Sequence, residues 1–295
     1  MKMNEKVDQL FRQQISSWPL LARGVEACSK ALTRSLNVNG YDIFVRHIPH
    51  RIASTTAAVD RDSIEKRPCF LCASNLPPEE KGLPFDSEFT AYCNPYPILD
   101  GHLTIVHRDH RPQRIHDHLD SMLRFAERLP GFFLIYNGPD CGASAPDHLH
   151  FQACRRTLFP IEHDLKKAKG GTIPNYARNV LVLQDADLER LRMRVESAIR
   201  KLNDISPRPN EPMLNLAAFF EAAVWTVLLF PRSKHRPAVF HSGELTVSPA
   251  TIDLCGIVVA PLLKDYERMS ADQIRAVFEE VTLDAAAFRQ LLLPK

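Results

Sequence analysis

The spacing of apolar positions divides the chain into alternating helical and extended stretches. Residues 4–35 carry Val7, Leu10, Phe11 and Ile15 at helical spacing and are expected to be helical. Tyr41 to Ile48 reads as a strand. Phe89 to Tyr96 and His102 to His107 read as two more, joined by the turn-rich Pro95-Tyr96-Pro97-Ile98-Leu99-Asp100-Gly101. His116 to Leu129 has an amphipathic helical pattern, Gly131 to Tyr136 is a compact apolar strand, and a small-residue loop leads to a further strand over His148 to Arg155. Beyond Gly170-Gly171, residues 185–203 form a charged helix whose apolar stripe runs through Leu188, Leu191, Val195, Ile199 and Leu202. Met213 to Phe230 reads as a hairpin of two buried strands, Leu245 to Val247 and Ile257 to Val259 as short strands, and Ser270 to Leu293 as mostly helix. This order predicts an α+β fold built on an antiparallel sheet flanked by helices.

Composition narrows the class without naming a chemistry. The 295 residues are 45% hydrophobic and 24% charged, ordinary for a soluble globular chain with a sizeable core. A net charge of +2 argues against nucleic acid as a partner but leaves room for a local cationic site. Seven cysteines, an odd number, do not suggest a secreted disulfide framework. The first 20 residues mix charge with apolar groups and lack a signal-peptide core, and no run of 18 apolar residues escapes interruption by charge. A cytoplasmic protein without membrane contact is therefore expected.

The chemistry concentrates in His148-Leu149-His150-Phe151-Gln152. On a strand, residues two apart share a face, so His148, His150 and Gln152 point one way while Leu149, Phe151 and Ala153 suit the core. A lone histidine on a strand is usually incidental; a pair followed by glutamine, behind the loop Asn137-Gly138-Pro139-Asp140-Cys141-Gly142-Ala143-Ser144-Ala145-Pro146, is less so. Small residues let backbone N–H groups approach an anion, and Ser144 adds a hydroxyl.

The segment from Asn137 to Gln152 resembles the active-site region of the transferase branch of the histidine-triad superfamily, which includes galactose-1-phosphate uridylyltransferases, diadenosine tetraphosphate phosphorylases and GDP-hexose phosphorylases. The resemblance implies a histidine-triad-like sheet, with two degenerate halves (1–168 and 169–295) as an open alternative to a single unit. It implies His150 as the nucleophile that takes a nucleoside monophosphate, Gln152 on a phosphate oxygen, Ser144 on the leaving phosphate, and Asn137, Gly142 and Ala143 shaping the site. Neutral imidazole is a competent nucleophile near pH 7 when its other nitrogen keeps its proton on an acceptor. Glutamine cannot act as an acid, which suits a phosphate leaving group that departs unassisted and so favours transfer over hydrolysis.

Cys69-Phe70-Leu71-Cys72 is a C-x2-C pair that reads as a redox pair, half of a metal site or chance. It resembles the zinc knuckle of the uridylyltransferases, which implies a closed, structural Cys2His2 zinc site from Cys69, Cys72, His110 and His148, with Cys93, His102, His107 and His163 as substitutes. Asn94-Pro95-Tyr96-Pro97 with Gly101-His102 resembles the segment of the same superfamily that lies against the nucleoside; a proline-rich turn explains it equally well. Arg51 is a candidate phosphate or base contact. The run Phe230 to Pro237 is cationic and resembles a phosphate-facing stretch of the diadenosine tetraphosphate phosphorylases, which implicates Arg232 and Lys234.

Together these features predict a nucleotidyltransferase or phosphorylase that takes a nucleotide or nucleotide sugar and passes the nucleotidyl group to phosphate or a sugar phosphate, with a homodimer as one arrangement. A hydrolase of the same superfamily and a non-catalytic zinc-stabilised nucleotide binder are the rival readings.

Overall fold

The computed structural model describes residues 2–293. Eleven strands lie in the order β1 (Leu32–Val38), β2 (Tyr41–His47), β3 (Leu83–Pro84), β4 (Phe89–Cys93), β5 (Leu103–His107), β6 (Phe132–Asn137), β7 (His150–Arg155), β8 (Leu181–Asp185), β9 (Leu214–Glu221), β10 (Val224–Pro231) and β11 (Ile257–Ala260). Eight of them make one sheet, β3-β4-β5-β7-β6-β9-β10-β8, in which every neighbouring pair is antiparallel. The fold is the α+β arrangement expected from the sequence.

The sheet is continuous across the middle of the chain, because β6 pairs with β9 from Leu134↔Ala218 to Asn137↔Asn215. A second, three-stranded sheet joins distant segments: β1 pairs antiparallel with β2, and β11 lies parallel to β2.

Alternation along the central strands sends side chains into two cores. Leu134, Leu149, Phe151, Ala153, Leu216 and Val227 enter one, which the helices Leu119–Arg128, Leu188–Ile205 and Ala285–Leu292 cover through Met122, Leu191 and Phe288. Phe133, Ile135, Ala217 and Leu228 enter the other, against the small sheet and the helix Ala271–Val281 through Ile43, Val258 and Phe278. β6 is therefore buried at all six positions, as a strand covered on both faces must be.

Three local expectations are corrected. Residues 32–35 leave the N-terminal helical region and start β1, where Thr33, Arg34, Ser35 and Leu36 alternate in exposure along a sheet edge. β8 was not anticipated; its Leu181, Val182 and Leu183 make a short apolar run that carries no helix-or-strand periodicity of its own. Leu245 to Val247 is irregular although Leu245 and Val247 are buried, so its apolar residues reflect packing and not a ladder. Among the described residues no helix is long and apolar enough to cross a membrane.

Candidate active site and metal cluster

β7 presents alternate residues to opposite sides, and its partners set what they meet. Phe151 and Ala153 enter the helix-covered core, while His150 and Gln152 face away from it. In register, Gln152 lies opposite Thr104 and His150 opposite Val106 on β5, and Thr104 lies opposite Tyr92 on β4. These residues floor a chamber of about 640 Å³. Trp18, Leu20, Phe70 and Tyr96 supply its apolar walls, and Asn94 and Glu80 its polar ones. A smaller, more polar chamber of about 60 Å³ adjoins it, lined by Asn137, the Gly142–Ser144 loop, His235, Arg236 and Asp253. Arg51, Ser144 and Gln152 belong to both walls and mark the junction.

Backbone carbonyls and amides fix the tautomers of three histidines. His150 Nδ1 lies 2.8 Å from the His148 carbonyl, so this nitrogen carries the proton and Nε2 keeps its lone pair, with no partner among the described residues, on the chamber side. Burial lowers its pKa to about 4, which keeps the ring neutral at physiological pH. His148 Nε2 donates to the His107 carbonyl at 2.7 Å, which leaves Nδ1 free to ligate. His102 Nδ1 accepts from the Ile98 N–H at 3.2 Å, so its Nε2–H donates to Gln152 Oε1 at 2.8 Å. Burial lowers His102 to about 3, so this donor stays a neutral imidazole. With Oε1 held, Gln152 turns its amide NH2, which has no partner among the described residues, toward the junction of the two chambers.

The start of β7 is anchored by Gln113. Its side chain accepts from the His150 N–H at 2.8 Å and donates to the carbonyls of His150 at 3.0 Å and Asn137 at 2.9 Å. It satisfies backbone groups where β6 and β7 diverge to admit the 138–149 loop. Gly142 in that loop has φ +96°, and a Cβ there would lie 2.6 Å from the Ala250 side chain, so only glycine lets the loop pass this close. Among the described residues the Ser144 hydroxyl has no partner, and Ser144 lines both chambers. Asn137 serves more as a hub than expected: its Oδ1 accepts from Asn215 Nδ2, the Thr251 N–H and the Thr251 hydroxyl. Asn94 holds Thr104 through Nδ2 and the Tyr96 N–H through Oδ1, which shapes the larger chamber's rim.

The two cationic candidates lie elsewhere. Arg232 is fully buried, and its guanidinium donates to Asn215 and to the carbonyls of Val281, Pro249, Lys234 and His235, leaving none of its arms for a ligand. It braces the turn after β10. Lys234 is exposed, pairs with Glu280 at 2.9 Å and lines an outer groove of about 730 Å³ that meets the small chamber only through His235 and Arg236. The residues of that run on the small chamber are His235 and Arg236, neither of which was picked from the sequence. Arg51 donates to the Tyr96 carbonyl and, lowered to about 10 by burial, stands at the junction.

Cys69, Cys72, His110 and His148 come together as the sequence resemblance implied. Their ligand atoms all lie within 4.8 Å of one another, so they form a cluster that could hold a metal ion. The shortest separations are 3.2 Å from Cys72 Sγ to His110 Nδ1 and 3.3 Å from Cys69 Sγ to His148 Nδ1. A tetrahedral zinc with ordinary bond lengths separates its ligand atoms by roughly 3.4–3.8 Å, so the close pairs match to within tenths of an ångström while the widest, within 4.8 Å, must draw in by about 1 Å. Each histidine also has the outer partner such a ligand needs: the His107 carbonyl for His148, and Asp147 Oδ2 at 3.7 Å for His110. Cys93, His102, His107 and His163 are not in the cluster.

Comparisons with known proteins agree with this architecture. Residues 10–155 match a family model described only as a domain of unknown function (DUF4922), and residues 160–292 match the GDPGP1-like C-terminal domain. The chain superposes on yeast Ap4A phosphorylase Apa2 in complex with Ap4A with a TM-score of 0.66, 15% identity, and coverage of 95% of this chain and 98% of that one. The AMP complex of the same enzyme gives 0.64, 16%, 93% and 96%. Identity this low establishes the shared fold. No curated protein matches the sequence.

Proposed function

From a chain with the fold of the histidine-triad-like phosphorylases and a GDPGP1-like C-terminal half, we propose a nucleotidyltransferase that works through a covalent nucleotidyl-histidine on His150. The observation that carries this reading is the locked tautomer of His150, which leaves an unprotonated Nε2 on the larger chamber, two residues along the strand from Gln152 at its junction with the polar one. The nucleoside takes the larger chamber. The Nε2 lone pair attacks the α-phosphorus, the bond to the bridging oxygen breaks, and the leaving phosphate or sugar phosphate carries off the electron pair. Inorganic phosphate then attacks the same phosphorus, the P–N bond breaks, and a nucleoside diphosphate leaves with His150 restored. The Gln152 amide, the Ser144 hydroxyl and the loop amides donate to the phosphoryl oxygens, and Arg51 adds the charge.

The small chamber, at about 60 Å³, has room for the phosphate end of a leaving group and not for a whole sugar phosphate. Beside Arg51 and Arg236 it offers Ser54, Thr55 and Ser248 hydroxyls and the Asp253 carboxyl, raised to about 6 by burial; such a mixture matches hydroxyls as well as phosphate. In the larger chamber Glu80 is raised to about 7 by burial alone and has no cationic partner. An ionised carboxylate there accepts two adjacent N–H donors, which the guanine edge presents. The favoured substrate is therefore a GDP-hexose. The division of labour follows the proposed halves: residues up to 168 supply nucleophile and nucleoside chamber, and residues from 169 complete the leaving-group chamber. Zinc is the metal proposed for the Cys69, Cys72, His110 and His148 cluster, closed and structural, with no part in the phosphoryl chemistry.

The outer groove beyond His235 and Arg236, which Lys234 and Arg208 line, favours a second reading with a longer substrate, a dinucleoside polyphosphate. The test is product analysis with GDP-glucose and with Ap4A, each with and without phosphate. Phosphate-dependent release of GDP and hexose phosphate supports the first reading; release of ADP and ATP from Ap4A alone moves the function to the second; turnover without phosphate contradicts both.

A further inference from the structure

Arg67 stands immediately before the metal-binding knuckle, separated from Cys69 by Pro68. Its Nη2 donates to Asp147 Oδ1 at 2.9 Å and, at 3.4 Å, to the carbonyl of Ser144. Asp147 turns its other oxygen to His110 Nε2, 3.7 Å away. The guanidinium also lies over the Phe70 ring, 4.9 Å from its centroid, so it is held from the knuckle side as well. One planar group thus touches the segment that carries the cysteines, the partner of a histidine in the cluster, and the backbone of the loop whose Ser144 lines both chambers.

Neither element of this arrangement is obvious from the ion pair alone. The pair is largely shielded, with side-chain exposures of 25% and 17%, so solvent screens it less than a surface bridge. Arg67 Nη1 is buried without a partner, a state native proteins seldom keep without a reason. Elsewhere the loop is held through its backbone, by Asn215 Nδ2 on the Cys141 carbonyl, the Gln113 N–H on the Pro146 carbonyl and the His148 N–H on the Ala145 carbonyl; the Ser144 carbonyl is the one that Arg67 reaches.

We propose that the Arg67–Asp147 pair is a mechanical tie that makes the metal-binding knuckle and the Gly142–Ser144 phosphate loop one unit, with Arg67 as a positioning residue. Occupancy of the cluster fixes His110; His110 orients Asp147; Asp147 and Arg67 fix the Ser144 carbonyl and, with it, the loop amides. The loop should therefore loosen when the metal is withdrawn or when the tie is cut with the metal still in place. The inference concerns order in the loop and holds whether or not the proposed reaction is correct.

The experiment measures two things on the full-length, metal-loaded protein: amide hydrogen exchange of residues 142–147, and the rate of metal release to the chromogenic chelator 4-(2-pyridylazo)resorcinol. Arg67→Met retains the packing over Phe70 and removes the tie; Asp147→Asn keeps the size and removes the charge. Both variants should bind one metal equivalent. Each should raise exchange in the loop at least fivefold, toward the level of chelator-stripped wild type, and speed metal release at least threefold. Exchange elsewhere, for example in β9 and β10, should stay as in wild type, which separates loss of the tie from general unfolding. Loop exchange in both metal-loaded variants equal to that of loaded wild type overturns the proposal, as does a wild-type loop indifferent to metal removal. Turnover and covalent labelling are read separately; their failure would sink the proposed reaction and leave the tie standing.

Discussion

Replacing Gln152 by glutamate tests the amide lock quantitatively. His102 can only donate to the side chain at 152, because its Nδ1 already accepts from Ile98. In Gln152→Glu one carboxylate oxygen keeps that bond, and the other occupies the place of the amide NH2. The lost charge-assisted hydrogen bond is worth about 1.5–3 kcal/mol. Repulsion between the carboxylate and a phosphoryl oxygen about 4 Å away adds about 4 kcal/mol at an effective dielectric of about 20. The sum would slow phosphoryl transfer by about 10⁴-fold or more. A cheaper route exists, however: the carboxyl can take a proton and donate its O–H as the amide did. From an ordinary glutamate pKa of about 4.3, protonation at pH 7 costs about 3.7 kcal/mol, which caps the loss at about 500-fold. The ratio of variant to wild-type rate should then rise about tenfold for each unit that pH falls from 8 toward 5.5. His150 does not confuse the profile, since burial keeps it neutral down to about pH 4. The assay is single-turnover formation of the nucleotidyl-enzyme with α-labelled nucleotide, compared at matched pH. A ratio that stays flat with pH, or a variant within tenfold of wild type at pH 8, refutes the reasoning.

Two further outcomes rest on buried carboxyls. Glu80, raised to about 7, passes from roughly a tenth ionised at pH 6 to nine-tenths at pH 8, so guanosine should bind about tenfold tighter at the higher pH. Adenosine, whose edge needs the protonated form, should weaken over the same range; calorimetric titration of wild type and Glu80→Gln checks both, and the variant should lose the dependence. Glu211 accepts from the Tyr136 hydroxyl and the Ile115 N–H, each at 2.6 Å, and burial raises it from 4.5 to about 7. Its folded pKa lies above the unfolded one, so the folded state binds the extra proton between about pH 4.5 and 7, and stability falls across that window by about 3 kcal/mol. Glu211→Gln should flatten this fall, so denaturant titrations of variant and wild type should converge at pH 5 and separate at pH 8; parallel curves would contradict the assignment.

What the sequence revealed follows the range of the interactions involved. The period of two along His148 to Ala153 is a local property, and it placed His150 and Gln152 away from the core correctly. The Cys69–Cys72 spacing is local too, and its completion by His110 and His148 came from resemblance, not from spacing. The partners that set the chemistry were illegible because they are distant in the chain: His102 lies 50 residues from Gln152 and Gln113 lies 37 from His150. Arg67 and Asp147, 80 residues apart, carry no motif at all. The cationic run after β10 shows a different limit. Three basic residues sit within five positions, and beyond Pro231 no periodicity says which turns inward; the chain buries Arg232, exposes Lys234 and brings Arg236 to the small chamber. The shared sheet was hidden for another reason, since β-pairing between β6 and β9 is a matter of register and not of either segment's own pattern.

The central claim is that His150 Nε2 forms a covalent bond to the α-phosphorus. Intact-protein mass spectrometry after brief incubation with GDP-glucose in the absence of phosphate reads this directly. The account predicts a mass increase of one guanylyl group, acid-labile, mapped to His150, discharged by added phosphate and absent in His150→Ala. An adduct that persists in His150→Ala, or phosphate-dependent turnover of wild type with no adduct at any time resolved by rapid quench, would contradict it.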